Sequence, residues 1–93
     1  MRTIEYTSQF KKDFKRESKG RYRATFAQML QETLDLLAKD IALPARYRDH
    51  ALTGDWADHR DCHIKPDMVL IYRLPDAETL QLVRVGSHSE LGL

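Results

Sequence analysis

The fold is decided by residues 59–72, which read His59-Arg60-Asp61-Cys62-His63-Ile64-Lys65-Pro66-Asp67-Met68-Val69-Leu70-Ile71-Tyr72. The first half alternates in polarity, which predicts a strand with two different faces. One face carries His59, Asp61 and His63, and the other carries Arg60, Cys62 and Ile64. Lys65-Pro66-Asp67 is typical of a turn. Residues 68–72 are apolar throughout, which predicts a second strand that is covered on both faces.

The sequence that follows predicts a third strand in the same sheet. Pro75-Asp76-Ala77-Glu78 is typical of a hairpin connection, and residues 80–85 form the returning strand, which Gly86 closes. Residues 45–58, which precede the first of these strands, are predicted to form a loop because they contain several turn-forming residues.

The N-terminal half predicts one short strand and two helices. Residues 3–6 form the strand, and the side chain of Thr7 or Ser8 can cap a helix that ends near Gly20. A stripe of residues spaced three or four apart predicts a second helix. This helix is predicted to end between Asp40 and Pro44. The stripe consists of Tyr22, Phe26, Met29, Leu30, Thr33, Leu34, Leu37 and Ile41.

These elements predict an α+β fold in the order β-α-α-β-β-β, in one domain that spans residues 1–93. We expect the two helices to form a hairpin that packs on one face of a small, antiparallel-rich sheet of four to five strands. The opposite face of the sheet is then free to hold a functional site.

Composition excludes several classes of protein. Hydrophobic residues make up 42% and charged residues 31% of the 93 residues, a balance typical of globular domains. The single cysteine, Cys62, cannot form an internal disulfide. No apolar stretch approaches the roughly 18 residues that span a bilayer, and the N-terminus lacks the apolar segment of a signal peptide. We therefore expect a cytoplasmic location and no membrane partner.

The net charge of +1 conceals an uneven distribution. Residues 1–48 carry 11 Lys/Arg and 6 Asp/Glu, whereas residues 49–93 carry 4 Lys/Arg and 8 Asp/Glu. The basic excess is concentrated in Lys11, Lys12, Lys15, Arg16, Lys19, Arg21 and Arg23. A field of this sign attracts phosphates, which favours RNA as a partner. A solvated helix face is the alternative interpretation.

All four histidines lie in the C-terminal half, and two of them, His63 and His88, are expected at strand ends, with Asp67 just past His63 in the turn. Histidine exchanges protons near neutral pH, so such a cluster suits acid–base cleavage of RNA without a metal ion. Each histidine could instead be structural. A metal site is disfavoured, because His59 and His63 lie on a strand and no metalloprotease-type motif is present. Trp56 is predicted to anchor its loop, with stacking on a base as the alternative.

Several segments together resemble the YafQ toxins of the RelE/ParE superfamily. Residues 47–56, Tyr-Arg-Asp-His-Ala-Leu-Thr-Gly-Asp-Trp, resemble the family segment DHxLxGxW, and residues 60–67 resemble RDxHxxPD. Leu70-Ile71-Tyr72 and Gly86-Ser87-His88 resemble LIYK and GTH, and the opening residues 4–13 are also similar. The resemblance covers nearly the whole chain.

The resemblance implies a RelE-like fold and a ribosome-dependent endoribonuclease that cleaves mRNA in the ribosomal A site. It implies no cofactor, a cognate DinJ-like antitoxin as partner, and contact with DNA only through that antitoxin. By position, the residues that match the family's active site are His50, His63, Asp67 and His88. The seven basic residues above, together with Arg60, are predicted to contact RNA or the ribosome.

The same resemblance, with the placement of these residues, suggests their roles. We expect His88 to be the general acid at the 5′-oxygen, Asp67 and His63 to act at the 2′-hydroxyl, and His50 to orient groups or stabilise charge. The products are then a 2′,3′-cyclic phosphate or 3′-phosphate and a 5′-hydroxyl. His63 and Asp67 flank one turn, so they are expected to lie close together, which would raise the imidazole pKa.

Two departures from the family keep other functions open. Met68 stands where the family can have tryptophan, and the C-terminal residues 89–93 lack an aromatic side chain. One alternative is a weakened toxin that acts mainly by binding its antitoxin and regulating transcription. A separate alternative, which rests on the basic helices and not on these departures, is a non-catalytic nucleic-acid-binding module.

Overall fold

The computed structural model describes all 93 residues and contains one five-stranded sheet in the order β1-β5-β4-β3-β2. The strands are β1 (Thr3–Tyr6), β2 (His50–Ala51), β3 (Arg60–Lys65), β4 (Met68–Arg73) and β5 (Thr79–Gly86). The pair β1–β5 is parallel, and every other pair is antiparallel. The predicted α+β fold with an antiparallel-rich sheet is therefore confirmed.

Three helices accompany the sheet: α1 (Ser8–Glu17), α2 (Phe26–Ala38) and α3 (His88–Leu91). The Thr7 side chain accepts a hydrogen bond from the Phe10 N–H at 3.0 Å, which satisfies one free donor of the first turn of α1. Ser87 and Glu90 form a capping box at α3, in which each side chain accepts from the other's backbone N–H. No helix is long and apolar enough to cross a membrane.

The helical hairpin of α1 and α2 packs on one face of the sheet, as predicted. Its contribution to the main core includes Phe10, Phe26 and Leu30, which lie against Cys62 and Leu70 from the sheet. In β5 a bulge opposite the step from Ile71 to Tyr72 interrupts the alternation. Because of this bulge, Leu82 and Val85 both reach the main core although they are three residues apart.

The other face of the sheet is covered only in part. Val69 and Ile71 alternate away from the main core and pack against Leu91 of α3. Leu52 and Trp56, from the segment between β2 and β3, extend this small second cluster. Trp56 thus contributes to packing as the predicted loop anchor, and its ring also contacts His59 edge-on with centroids 5.3 Å apart.

A buried carboxylate fastens α1 to β5. Asp13 has no exposed surface, and its oxygens accept from Arg84 at 2.7 and 3.0 Å, from Arg16 at 2.8 Å and from the Val85 N–H at 3.2 Å. Burial alone would raise the pKa of Asp13, but the bonds from Arg84, Val85 and Arg16 hold it below its usual value. At Gly86 a Cβ would lie 2.7 Å from the Arg16 guanidinium, so this junction favours glycine.

The structure corrects several predicted boundaries. The second helix begins at Phe26 and not near Tyr22, because residues 20–25 form successive turns and the Tyr22 hydroxyl bonds to Asp67 outside the helix. The helix ends before Ile41, which is exposed, because Asp40 has a φ of 57° that turns the chain. His59 precedes β3 rather than beginning it.

Four short elements were not predicted. The segment 45–58, predicted as a loop, contains the two-residue strand β2 and two 3₁₀ turns. The C-terminal helix α3 begins at His88, where the sequence predicted only the end of a strand. All four elements are too short for hydrophobic periodicity to reveal them.

Candidate functional site

A cluster of titratable side chains lies on the open face of the sheet, opposite the helical hairpin. Strand pairing explains how it assembles: His50 in β2 is opposite Asp61 in β3. His63 is opposite Val69 in β4, which on its other side is opposite Gly86 in β5. The chain then turns from Gly86 into α3, which begins at His88.

The imidazoles of His63 and His88 contact each other edge-to-face, with ring centroids 5.0 Å apart and planes at 63°. Burial lowers the pKa of His63, and the nearby His88, Arg48 and His50 lower it further, while Asp61 opposes the shift. His63 is therefore biased towards the neutral form, which is the form that can accept a proton. The two rings are in contact and can act as an acid–base pair.

Asp61 lies two residues before His63 on the same face of β3 and is only 3% exposed. Its Oδ1 is 3.0 Å from Nδ1 of His50, but no side chain or backbone group donates a hydrogen bond to it. The Nδ1 of His50 instead lies 2.8 Å from the Arg48 carbonyl oxygen, which requires that Nδ1 carry the hydrogen. The Nε2 of His50 is then the nitrogen available to a substrate.

Burial raises the pKa of Asp61, while His50, His63 and His88 oppose the shift by their charge. A buried carboxylate near three imidazoles stabilises a positive charge on each of them, so it favours their protonated forms. The sequence analysis placed Asp61 on the same strand face as His63 but did not name it as a site residue. The sequence contained a usable signal for Asp61, since its carboxylate shares a strand face with two histidines, His59 and His63.

Asp67 lies in the turn between β3 and β4 and is directed towards the helical hairpin. Its carboxylate accepts from the Tyr22 hydroxyl at 2.7 Å and from Arg21 at 3.1 Å. The bond from Tyr22 holds the pKa of Asp67 below its usual value. No hydrogen bond or ion pair joins Asp67 to His63, and the pKa of His63 is lowered, not raised. The expected pairing of these two residues was therefore wrong, because the carboxylate of Asp67 is bound by Tyr22 and Arg21 and not by His63.

Asp67 instead borders a cleft of about 340 Å³ next to α3, which Ser87 and Met68 also line. The cleft places the carboxylate on the same side of the molecule as the start of α3, one residue before His88. Three of the four predicted catalytic residues are thus clustered around Asp61, and the fourth occupies a neighbouring cleft.

The eight basic residues predicted to contact RNA or the ribosome differ in whether acidic groups inside the protein bind them. Lys11, Lys12, Lys15, Lys19 and Arg23 are exposed and make no ion pair, and the exposed Arg21 bonds to Asp67. Arg16 is bound to Asp13, Glu17 and Glu90. Arg60 is bound to Asp49, which also accepts from the Tyr72 hydroxyl at 2.6 Å.

A second basic region, which was not predicted from the sequence, adjoins His63. It is a cavity of about 560 Å³ whose wall includes His63 and three cationic side chains, Arg46, Arg48 and Lys65. Arg46 and Arg48 lie on one segment and Lys65 lies 17 residues further on, so their charges do not form a run that composition reveals.

No group of three or more His, Cys, Asp and Glu side chains is arranged as a ligand set for a metal ion. The rings of His63 and His88 contact each other, and Nδ1 of His50 is bound to the Arg48 carbonyl. The chemistry that this donor set supports directly is proton transfer.

Comparison with known proteins agrees with the geometry. Residues 2–92 match the family model described as "Bacterial toxin of type II toxin-antitoxin system, YafQ". The chain is 41% identical over 91 residues to the "mRNA interferase toxin YafQ" of Escherichia coli K12, which covers 97% of this chain and 95% of the relative.

Two solved structures have the same fold over almost their whole length. The Escherichia coli DinJ–YafQ complex contains a chain that matches with a TM-score of 0.84 and 39% identity, covering 98% of each chain. A metal-bound toxin from Helicobacter pylori matches with a TM-score of 0.87 and 42% identity, covering 98% of this chain and 99% of the other.

Proposed function

This chain belongs to the YafQ family of bacterial toxins of type II toxin–antitoxin systems, and on that basis we propose that it is an mRNA interferase. It acts in the cytoplasm as a ribosome-dependent endoribonuclease that cleaves mRNA in the ribosomal A site and thereby inhibits translation. The observation that carries the proposal is the pair of contacting imidazoles, His63 and His88, near the buried carboxylate of Asp61.

The proposed mechanism needs only proton transfer by side chains. His63 removes the proton from the ribose 2′-hydroxyl, and the freed oxygen attacks the adjacent phosphorus. The bond from phosphorus to the 5′-oxygen breaks as His88 protonates that oxygen. The products are a 2′,3′-cyclic phosphate, or a 3′-phosphate after hydrolysis, and a 5′-hydroxyl. The lowered pKa of His63 supports its assignment as base.

His50 and Asp61 support this pair electrostatically. Because His50 donates from Nδ1 to the Arg48 carbonyl, its Nε2 is free to contact a phosphate oxygen when the ring is protonated. Asp61 stabilises positive charge on the imidazoles while the phosphorane carries its extra negative charge. Asp67, which is bound to Tyr22 and Arg21, holds the β3–β4 turn against the helical hairpin so that His63 keeps its position.

The partner of a toxin of this family is an antitoxin, and the Escherichia coli relative is seen in complex with DinJ. We expect a DinJ-like protein to bind this chain and to suppress its activity. We expect DNA to be contacted only through that antitoxin.

A weakened toxin that acts mainly as an antitoxin partner remains the second candidate. It rests on the two departures from the family, but Met68 is only 2% exposed and packs in the main core. Leu91 is likewise buried against Val69 and Ile71. At these two positions the side chains contribute to packing and leave the histidine cluster intact, which favours the active enzyme.

The test is to express the chain without its antitoxin and to map the 5′ ends of cellular mRNA. Growth arrest and new 5′-hydroxyl ends within translated codons are expected. New 5′-phosphate ends would indicate hydrolysis of another kind, and growth arrest without new ends would contradict cleavage. End chemistry is more informative than chelation, because chelators also remove magnesium from ribosomes.

A further inference from the structure

The cavity beside His63 has a strongly cationic wall. Three of its residues, Arg46, Arg48 and Lys65, carry positive charge, and one, Glu32, carries negative charge. His63 forms part of the same wall, so the cavity adjoins the strand position that carries the proposed base.

The three cations have no acidic partner inside the protein. Arg2, Arg16, Arg60 and Arg84 each form an ion pair, whereas Arg46, Arg48 and Lys65 form none. Arg46 lies over the ring of Tyr47 at 5.1 Å and Lys65 over the ring of Tyr22 at 4.6 Å. These aromatic faces orient the side chains without neutralising their charge, so the charge remains available to a ligand.

The backbone around the cavity is well anchored. Arg46 and Arg48 flank Tyr47, which is buried in the main core at the end of the 3₁₀ turn Ala45–Tyr47. Arg48 adopts a φ of 49°, in the left-handed region, which turns the chain away from the core immediately after Tyr47. Buried Tyr47 therefore anchors the backbone from which both arginine side chains extend, so less backbone entropy is lost when they bind a ligand.

We propose that this cavity, lined by Arg46, Arg48, Lys65 and His63, binds the phosphodiester backbone of the RNA strand next to the bond that is cut. This inference rests on the proposed function, because it assigns to the same site the group that positions its substrate. Lys and Arg hold phosphate through charge-assisted hydrogen bonds, and guanidinium groups do so in pairs. Tyr47 is buried and cannot stack on a base, so the cavity recognises backbone and not sequence.

Glu32 provides a test of the proposal, because it is the one carboxylate in the wall of the cavity. Its only hydrogen bond is a long one from Gln28 at 3.4 Å, so removing its charge should disturb little else. A phosphate-binding cavity predicts that Glu32→Gln binds RNA more tightly. A purely structural role for the cavity predicts no such gain.

The experiment compares wild type with Glu32→Gln, with the triple variant Arg46→Gln/Arg48→Gln/Lys65→Gln, and with Lys39→Gln. Lys39 is exposed at the end of α2, outside the cavity, and serves as the control for removal of one positive charge. Single-turnover cleavage is measured on programmed ribosomes over a range of toxin concentrations. Binding of a short RNA with a deoxyribose at the scissile position is measured in parallel over a range of salt concentrations.

The triple variant should require a higher toxin concentration for half-maximal cleavage, on the order of tenfold for each cation that no longer binds phosphate, which is equivalent to about 1.4 kcal/mol. Its maximal rate should change much less. The slope of log binding constant against log salt should fall by about 0.7 for each such cation. Glu32→Gln should shift both quantities in the opposite direction, and Lys39→Gln should match wild type.

Equal binding by wild type and the triple variant would overturn the proposal, provided that the variant keeps the circular dichroism and melting temperature of wild type. Weakened antitoxin binding with unchanged RNA binding would also overturn it, because the cavity would then be an antitoxin contact. If wild type itself fails to cleave on ribosomes, the proposed function fails, but the deoxy-substituted RNA still tests the cavity by binding alone.

Discussion

His50 and Asp61 face each other across the β2–β3 pair with Nδ1 and Oδ1 3.0 Å apart, yet the Nδ1 hydrogen goes to the carbonyl of Arg48. The carboxylate oxygen of Asp61 is left buried without a donor. A buried acceptor without a partner destabilises a fold, so its presence among the histidines is best explained by its electrostatic effect on them.

The first prediction concerns Asp61→Asn as a change in a positioning residue. Its charge raises the pKa of His63 against the opposing effects of burial and of His88. Removing the charge should lower the pKa of His63 further, so the acidic limb of the pH–rate profile should move to lower pH. The maximal rate should fall by on the order of tenfold, equivalent to about 1.4 kcal/mol of transition-state stabilisation. The measurement is single-turnover cleavage as a function of pH.

The same substitution should not destabilise the protein at neutral pH. The pKa of Asp61 is raised in the folded state, so its stabilising contribution is present below the unfolded pKa and is lost as pH rises through the folded value. Asn mimics the neutral form, so Asp61→Asn should be at least as stable as wild type above about pH 5 in urea unfolding. A lower midpoint there would show that Asp61 is structural.

The second prediction is that Asp13→Asn strongly destabilises the fold. It leaves Arg84 and Arg16 beside a buried group that no longer carries charge, and breaking a buried pair costs about 3–5 kcal/mol. The pKa of Asp13 is lowered in the folded state, so its contribution is present above the unfolded pKa and is lost as pH falls through the folded value. Urea unfolding at neutral pH and at acidic pH measures both effects.

The control for Asp13 is Asp35→Asn on the exposed surface of α2. Asp35 accepts a hydrogen bond from Gln31 at 2.8 Å, and the change should alter the free energy of unfolding by less than about 0.5 kcal/mol. Equal effects at the two positions would contradict a special role for the buried carboxylate.

The third prediction separates the proposed acid from the proposed base. His63→Ala and His88→Ala should each slow cleavage on ribosomes by about 10²–10⁴-fold and leave antitoxin binding nearly unchanged. On a substrate with sulfur in place of the bridging 5′-oxygen, the leaving group needs no proton. His88→Ala should then recover most of its rate, and His63→Ala should stay slow. The reverse pattern would exchange the two roles.

The fourth prediction concerns the exposed basic surface of α1. Charge reversal at Lys11, Lys12 and Lys15, which form no ion pairs, should weaken ribosome binding or slow association with the antitoxin, and added salt should reduce the difference from wild type. The stability of the fold should change little. Binding and association rates equal to wild type at low salt would mean that this surface is only solvated.

Arg16 lies on the same helix and provides the contrast. Because it binds Asp13, Glu17, Glu90 and the Val85 carbonyl, Arg16→Glu should lower the melting temperature by several degrees. Weaker binding by that variant would then follow from a disturbed fold and not from the removal of a group that touches RNA.

The sequence by itself determined the order of the main elements, because the spacing of apolar residues depends only on local geometry. The alternation of residues 60–65 placed Cys62 and Ile64 in the core and left Asp61 and His63 on the open face. The hydroxyl of Thr7 indicated the start of α1 through a contact three residues away. The family's segments placed His50, His63 and His88 as candidates, although they lie far apart in the chain.

Only the tertiary structure decided which polar groups meet, because those partners are set by strand pairing and by packing between distant segments. In the sequence, Asp13 and Arg16 are compatible with a solvated helix face. In the structure, Arg84 of β5 donates to the carboxylate of Asp13. Asp67 lies in the turn four residues after His63, but Tyr22 and Arg21, 45 and 46 residues away, bind it. Asp61 shares a strand face with His63, and only the tertiary structure buries it and brings His50 of β2 and His88 of α3 near it. Burial lowers the local dielectric constant, so the charge of Asp61 acts more strongly on these imidazoles.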